Sequence, residues 1–129
     1  MNKNILLSVI GVVLVLAGVL GFVVPGLFGM HLSGLHNAIH IVSGLLALYF
    51  GLKGTPSAAR LFSLVFGSIY GLLGMVGLLA GGTHGMWVVI PNHLALGMAD
   101  HIVHIVLGVV LVFVGVLQTA KVVRPQTNL

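Results

Sequence analysis

The sequence has no cysteine, and Asp100 is the one acidic residue among its 129 residues. Without cysteine the chain can form no disulfide, no thiolate metal site and no covalent haem attachment through C-x-x-C-H. One carboxylate is too few to line a cation pore, and the chain lacks a phosphate-loop motif and an identifiable Ser-His-Asp nucleophile arrangement. We therefore expect a binding or structural protein rather than an enzyme.

Charge is scarce, at 5% of residues, whereas 59% of residues are hydrophobic. This composition is too apolar for a soluble domain of this length and indicates an integral membrane protein in contact with the lipid bilayer. Apolar runs cover residues 5–24, 35–52, 61–80 and 101–120. Each run of roughly 18 to 20 residues is long enough for a helix to cross a hydrocarbon core of about 30 Å. The sequence predicts an all-α, four-helix membrane bundle that forms a single domain over residues 1–129.

The basic residues predict the orientation of this bundle. They lie at the N-terminus, between the second and third runs, and at the C-terminus: Lys3, Lys53, Arg60, Lys121 and Arg124. Four spans place these three segments on one side of the membrane, which the positive-inside rule makes the cytoplasmic side. We expect both termini in the cytoplasm. The net charge of +4 is then explained by orientation, and we expect no nucleic-acid partner.

The histidines are sorted to the opposite, outer side of the membrane. All seven lie in the first or third loop or near the start of the second or fourth helix, and Asp100 joins them: His31, His36, His40, His84, His93, His101 and His104. Ionisable groups within a membrane span are costly, so a functional site is the default hypothesis for them. The histidines therefore predict a site near the outer face.

The two halves of the sequence resemble each other. HIVSG at residues 40–44 matches HIVLG at residues 104–108, and three glycines of the first helix match three of the third at a constant offset: Gly11, Gly18 and Gly21 with Gly67, Gly74 and Gly77. We interpret this repeat as two tandem helical hairpins related by an axis along the membrane normal. The alignment pairs residues as follows: His36 with Asp100, Asn37 with His101, and His40 with His104.

The repeat leads to a predicted metal site, because residues four apart share one helix face. The predicted ligands are two such pairs on facing helices: His36 and His40, Asp100 and His104. Imidazole nitrogen and carboxylate oxygen suit a divalent transition metal such as zinc, iron or copper. His101 and Asn37 are predicted to orient a ligand through a hydrogen bond.

A second interpretation is haem b held by His40 and His104, with one axial ligand from each helix. Gly44 and Gly108 lie one turn deeper and would leave room for the flat macrocycle. Small residues also let membrane helices approach closely, which gives these glycines another explanation. Haem ranks below a simple metal ion because it needs neither His36 nor Asp100.

A different class of function needs no ligand. Histidine and asparagine can join membrane helices by hydrogen bonds of roughly 0.6 to 2 kcal/mol each, so a structural or accessory subunit is the main alternative. Proton-linked transport or pH sensing is a third hypothesis, because histidine has an ordinary pKa of about 6.5. The sequence shows no bistable element that such a switch requires.

The loop residues are predicted to play lesser parts. We expect His31, His84 and His93 to be interfacial loop residues that could line an access path for a metal. Trp87, with the apolar residues that follow it, is typical of an interfacial anchor or a short re-entrant segment. Tyr70, within the third span, is expected to pack or to form a hydrogen bond.

The blocks LHNAIHIVSGLLAL, RLFSLVFGSIYGLLGMVGL and ADHIVHIVLGVVL resemble a family of small bacterial four-helix membrane proteins known only as a domain of unknown function. The resemblance covers nearly the whole chain, and the His-Asn-x-x-His and Asp-His-x-x-His blocks are its most specific part. It implies the bundle architecture and a location in the bacterial inner membrane, and it implies no activity. We expect a metal-binding protein that acts alone, as a homo-oligomer or as a subunit of a larger membrane complex.

Overall fold

The computed structural model of the protein describes residues 4–123 and contains four long helices. Each helix is long and apolar enough to cross a membrane. Their bounds are α1, Ile5–Val23; α2, Gly34–Leu52; α3, Pro56–Ala80; and α4, Met98–Val123. The prediction of an all-α protein with four spanning helices is confirmed. Large apolar side chains are exposed along all four helices, which suits contact with lipid.

The helix starts are set by polar capping side chains. Asn4, Ser33 and Thr55 each accept a hydrogen bond from a backbone N–H in the first turn of α1, α2 and α3 respectively. Helix α3 begins at Pro56 rather than at residue 61, because Thr55 caps it and proline suits the first helical position. The apolar run alone therefore underestimated this helix.

Glycine contacts join α1 to α2. A Cβ added at Gly11 would lie 2.8 Å from the Gly44 carbonyl oxygen, and one added at Gly51 would lie 2.9 Å from the Ser8 amide nitrogen. Ser8, which comes before Gly11 in α1, contacts Gly51, which comes after Gly44 in α2. The two helices are therefore antiparallel. Close approach of this kind is the usual role of small residues between membrane helices.

Helices α3 and α4 are joined by the same kind of contact. A Cβ added at Gly67 would lie 3.0 Å from the Gly108 carbonyl oxygen, and one added at Gly74 would lie 2.6 Å from the His101 carbonyl oxygen. The proposed repeat pairs Gly67 and Gly108 with Gly11 and Gly44, and it pairs Gly74 and His101 with Gly18 and Asn37, where a Cβ added at Gly18 would lie 2.7 Å from the Asn37 carbonyl oxygen. They support the two-hairpin interpretation.

Side chains rather than glycines fill the space between the two helix pairs. A buried apolar cluster draws on all four helices and extends from Tyr70 toward the end of the bundle opposite the histidines: Leu7, Ala47, Ala59, Phe62, Tyr70, Leu111 and Val114. At the far end, the Asn4 side-chain amide donates to the Gln118 side-chain oxygen over 3.1 Å, which joins α1 to α4. The buried histidines lie on the other side of this cluster, toward the end of the bundle where α2 and α4 begin.

The third loop contains secondary structure that was not predicted. Strand β1 (Trp87–Ile90) pairs antiparallel with β2 (Leu94–Leu96), and Asn92 between them has a positive φ of 65°. Leu96 is buried. The segment interpreted as an anchor or re-entrant element is thus a short β-hairpin.

The loop end of the bundle, where α1 and α3 end and α2 and α4 begin, carries all seven histidines. Lys53 and Arg60 lie at the opposite end, where α2 ends and α3 begins. Arg60 donates from Nε to the Thr119 hydroxyl over 2.8 Å there. Of the other basic residues used to predict orientation, Lys3 and Arg124 lie outside the described residues, and the side chain of Lys121 is not described.

Candidate metal centre

Three imidazoles from two helices meet just inside the loop end. His36 and His40 are one turn apart on α2, and His104 faces them from α4. Ring centroids lie 4.3 Å apart for His36 and His40, 5.6 Å for His36 and His104, and 6.3 Å for His40 and His104. All three side chains are buried, with exposed fractions of 2 to 4%. One nitrogen from each residue lies within 4.8 Å of the others, so the three could hold a metal ion.

One nitrogen in each ring of this triad (His36, His40 and His104) lacks a protein partner. Within the described part of the chain, Nε2 of His36 and Nδ1 of both His40 and His104 are buried without a hydrogen bond. A buried polar atom left unpaired costs free energy. Interhelical hydrogen bonding therefore does not account for the triad.

The backbone fixes which nitrogen of His36 is free to bind a ligand. Nδ1 of His36 lies 2.9 Å from the carbonyl oxygen of His31. A carbonyl oxygen can only accept, so this nitrogen carries the hydrogen and donates it. In the neutral ring, Nε2 then holds the free lone pair, and a second nitrogen bonded to a carbonyl group is the arrangement usual for metal-binding histidine.

Asp100 lies behind His36 rather than within the triad. Its Oδ2 accepts from the Gly97 amide over 2.8 Å and from the His31 amide over 3.0 Å. Its Oδ1 has no hydrogen-bond partner and lies 4.0 Å from Nδ1 of His36, the nitrogen turned away from the free lone pair. Three of the four predicted ligands, the histidines, therefore converge. The Asp100 carboxylate instead caps the start of α4 and faces the outer edge of the His36 ring.

The predicted orienting residues Asn37 and His101 lie at helix contacts instead. Asn37 packs against Gly21 of α1 and donates to the Leu32 carbonyl oxygen over 3.3 Å. His101 packs against Gly77 of α3, and its Nε2 donates to the Gly85 carbonyl oxygen over 2.7 Å. Each follows a residue of the site by one position, which turns it by about 100° around the helix.

Tyr70 and Ser43, which lie on the side of the triad away from the loop end, were not predicted as part of the site. The Tyr70 hydroxyl donates to the Ser43 hydroxyl over 3.0 Å, and the Tyr70 ring centroid is 5.5 Å from that of His104. The expectation that Tyr70 forms a hydrogen bond is met. Ser43 could have been found from sequence, since it lies three residues after His40 on the same face of α2.

Above the triad, the first loop and the β-hairpin enclose an open cleft of about 620 Å³, the loop cleft. Its walls are residues between Pro25 and Ser33 and between Ile90 and Ala95, including His31 and His93. The Ser33 hydroxyl donates to the His93 carbonyl oxygen over 2.6 Å and ties the two walls together. His84 is exposed and is not among the residues that line this cleft.

Comparison with protein families assigns the chain to one of them. Residues 4–117 match the family described as Domain of unknown function (DUF4383). The chain belongs to the DUF4383 family. The match spans all four helices and every histidine of the site, which agrees with the resemblance seen in the sequence. No curated protein and no solved structure matches the chain.

In this DUF4383 member, the glycines invoked for haem have other partners. A Cβ added at Gly44 would lie 2.7 Å from the Gly11 carbonyl oxygen, and one added at Gly108 would lie 2.5 Å from the Gly71 amide nitrogen. Both glycines therefore face a neighbouring helix rather than open space. The His36 ring also packs against both His40 and His104. The packing removes the main argument for haem.

Substituting Asp100 should separate its capping role from its electrostatic one. In Asp100→Asn, the amide oxygen can still accept from Gly97 and His31, so we expect the free energy of unfolding to change by less than about 1 kcal/mol. Loss of the negative charge beside His36 should weaken Zn²⁺ binding by about 10- to 100-fold. Isothermal titration and chemical unfolding in detergent measure the two quantities. Equal Zn²⁺ affinity in both proteins would exclude the electrostatic role.

Proposed function

We propose that this protein binds one divalent transition metal ion at the histidine triad. The observation that carries the proposal is that three buried imidazoles each offer a nitrogen within 4.8 Å of the others, and each ring also has a buried nitrogen with no hydrogen bond among the described residues. Nitrogens around a tetrahedral zinc ion lie about 3.3 Å apart, given bonds of about 2.0 Å. The triad nitrogens lie within 4.8 Å of one another and would have to approach that spacing around an ion. Zinc, iron and copper all suit imidazole ligands.

Asp100 supplies the negative charge of the proposed site. A divalent ion in a low-dielectric interior needs nearby negative charge, and Asp100 is the one acidic residue of the chain. It is fully buried, and its unpaired Oδ1 is turned toward His36. Three neutral imidazoles and one carboxylate behind them leave a fourth coordination position for water or another ligand.

The proposed setting is the bacterial inner membrane, with both termini in the cytoplasm and the metal site near the outer face. The positions of the basic residues support this orientation. Four apolar helices support contact with the bilayer. We further propose that the protein works alone, as a homo-oligomer or as a small subunit of a larger membrane complex, and that it binds or holds the metal rather than catalysing a reaction.

The test is metal analysis of the protein purified without a histidine tag or a chelating resin. We expect one equivalent of zinc, iron or copper per chain, either as isolated or after incubation with each ion followed by gel filtration. A visible spectrum taken on the same sample would show a Soret band if haem were bound. A colourless protein that retains no zinc, iron or copper would refute metal binding.

The second candidate function is a structural or accessory subunit whose polar residues hold helices together. The observation that favours it is the placement of Asn37 against Gly21 and His101 against Gly77. Both residues also make hydrogen bonds to loop carbonyl groups. These contacts explain two of the polar residues but leave the triad without a role, so we place this function second.

A further inference from the structure

We infer that metal ions reach the triad from the loop cleft by way of the His31 imidazole and the Asp100 carboxylate. The inference rests on the proposed metal site and adds the route by which it is loaded. It assigns a role to His31, the one histidine that lies in the cleft and also contacts a residue of the site.

His31 connects the cleft to the buried carboxylate. Its side chain is 48% exposed, whereas that of Asp100 is fully buried, and its Nδ1 lies 3.5 Å from Oδ2 of Asp100. A nitrogen and an oxygen at this separation can share one metal ion with little movement. Asp100 in turn presents its unpaired Oδ1 at 4.0 Å from the His36 ring. The His31 nitrogen and the two carboxylate oxygens of Asp100 therefore lead in short steps from solvent to the outer edge of the His36 ring, the first residue of the triad.

The position of His31 is built into the backbone around it. A Cβ added at Gly97 would lie 2.7 Å from Nδ1 of His31, so the absence of a side chain at Gly97 lets the ring approach Asp100. The His31 amide donates to Asp100, and its carbonyl oxygen accepts from His36. These two bonds hold residue 31 between Asp100 and His36.

The opposite side of the triad is closed among the described residues. The Tyr70 and Ser43 side chains are hydrogen bonded to each other directly below His104 and His40. Beyond them lies the rest of the buried apolar cluster, to which all four helices contribute. That side presents no exposed imidazole comparable with His31, so we take the cleft as the side from which the site is loaded.

Replacement of His31 with alanine removes the imidazole but keeps both backbone hydrogen bonds. A residue on the route that is not a final ligand changes the association and dissociation rates by the same factor, and the Kd stays constant. We expect His31→Ala to slow Zn²⁺ uptake and release on the order of tenfold. Uptake is followed by stopped flow with a zinc-sensitive dye, and release by transfer to excess chelator, with the full chain in nanodiscs.

Two further variants sharpen this test. Gly97→Ala must displace the His31 ring and should slow both rates in the same way. His84→Ala removes an exposed histidine outside the cleft and should leave both rates unchanged.

Each other result contradicts the proposed route. Normal rates in His31→Ala, or equal slowing in His84→Ala, would exclude His31 as the access residue. A weaker Kd caused by faster release alone would make His31 a ligand rather than part of a route. Absence of Zn²⁺ binding by the unaltered protein would overturn the metal site itself and the route with it.

Discussion

Replacing both His40 and His104 with alanine should abolish stoichiometric Zn²⁺ binding. Each imidazole is one of the three converging groups that could ligate an ion, and the two come from different helices. Loss of either should weaken binding by more than about 100-fold, the upper end of what removal of a hydrogen-bonding partner behind a ligand costs. Loss of both leaves His36 alone. Equilibrium dialysis with zinc analysis measures the effect on the single and double variants.

The matched control is the double variant His84→Ala and His93→Ala, which removes the same number of imidazoles from exposed positions. It should bind one Zn²⁺ with unchanged affinity. If the two double variants lose zinc equally, binding comes from scattered surface histidines. If His40 and His104 can be removed with no loss, the triad is not the site.

Gly108→Ala should strongly destabilise the bundle, whereas Gly71→Ala should be tolerated. A Cβ at Gly108 would lie 2.5 Å from the Gly71 amide nitrogen and 2.7 Å from the Gly67 carbonyl oxygen, and neither backbone atom can rotate away. Helices α3 and α4 must then separate, at a cost of about 1 to 3 kcal/mol. A Cβ at Gly71 would meet its nearest neighbour, the Gly108 Cα, at 3.8 Å, an ordinary contact.

The two glycines form a matched pair, because they face each other across one helix contact and receive the same substitution. Unfolding in mixed micelles with increasing SDS, followed by circular dichroism, gives the free energy of unfolding of each variant. Gly71→Ala should stay within about 1 kcal/mol of the unaltered protein, since alanine favours the helix slightly more than glycine. Equal losses in both variants would show that the contact at Gly108 does not decide the packing of α3 on α4.

The four spanning helices and the grouping of the histidines could be predicted from sequence, because both depend on local composition. Runs of apolar residues identify helices that cross a membrane, and the loops between them fix which residues share an end. The meeting of His40 with His104 was predicted from the repeated HIVSG and HIVLG blocks. This prediction succeeded because His40 and His104 occupy matching positions in the two similar halves, and such positions lie close together where the two helix pairs pack against each other.

The errors came from details of rotation and of loop conformation. Asn37 follows His36 directly, so the two side chains cannot share a helix face, and Asn37 contacts α1 instead. The role of His31 depends on the path of the first loop, where Phe28 and Gly29 have positive φ angles of 53° and 76°. Hydrophobic periodicity carries no information about such a path. The β-hairpin was missed because its strands have only four and three residues.

The contacts within each helix pair differ in kind from the contacts between the two pairs, and this difference determines what a bound ion would stabilise. Backbone contacts at glycines hold α1 to α2 and α3 to α4, but the two pairs meet through side chains, with the triad drawing two imidazoles from one pair and one from the other. An ion bound at the triad would connect the α1–α2 pair to the α3–α4 pair. By mass action such an ion would stabilise the packed arrangement of the two helix pairs, so the free energy of unfolding of the bundle should rise with the concentration of the metal.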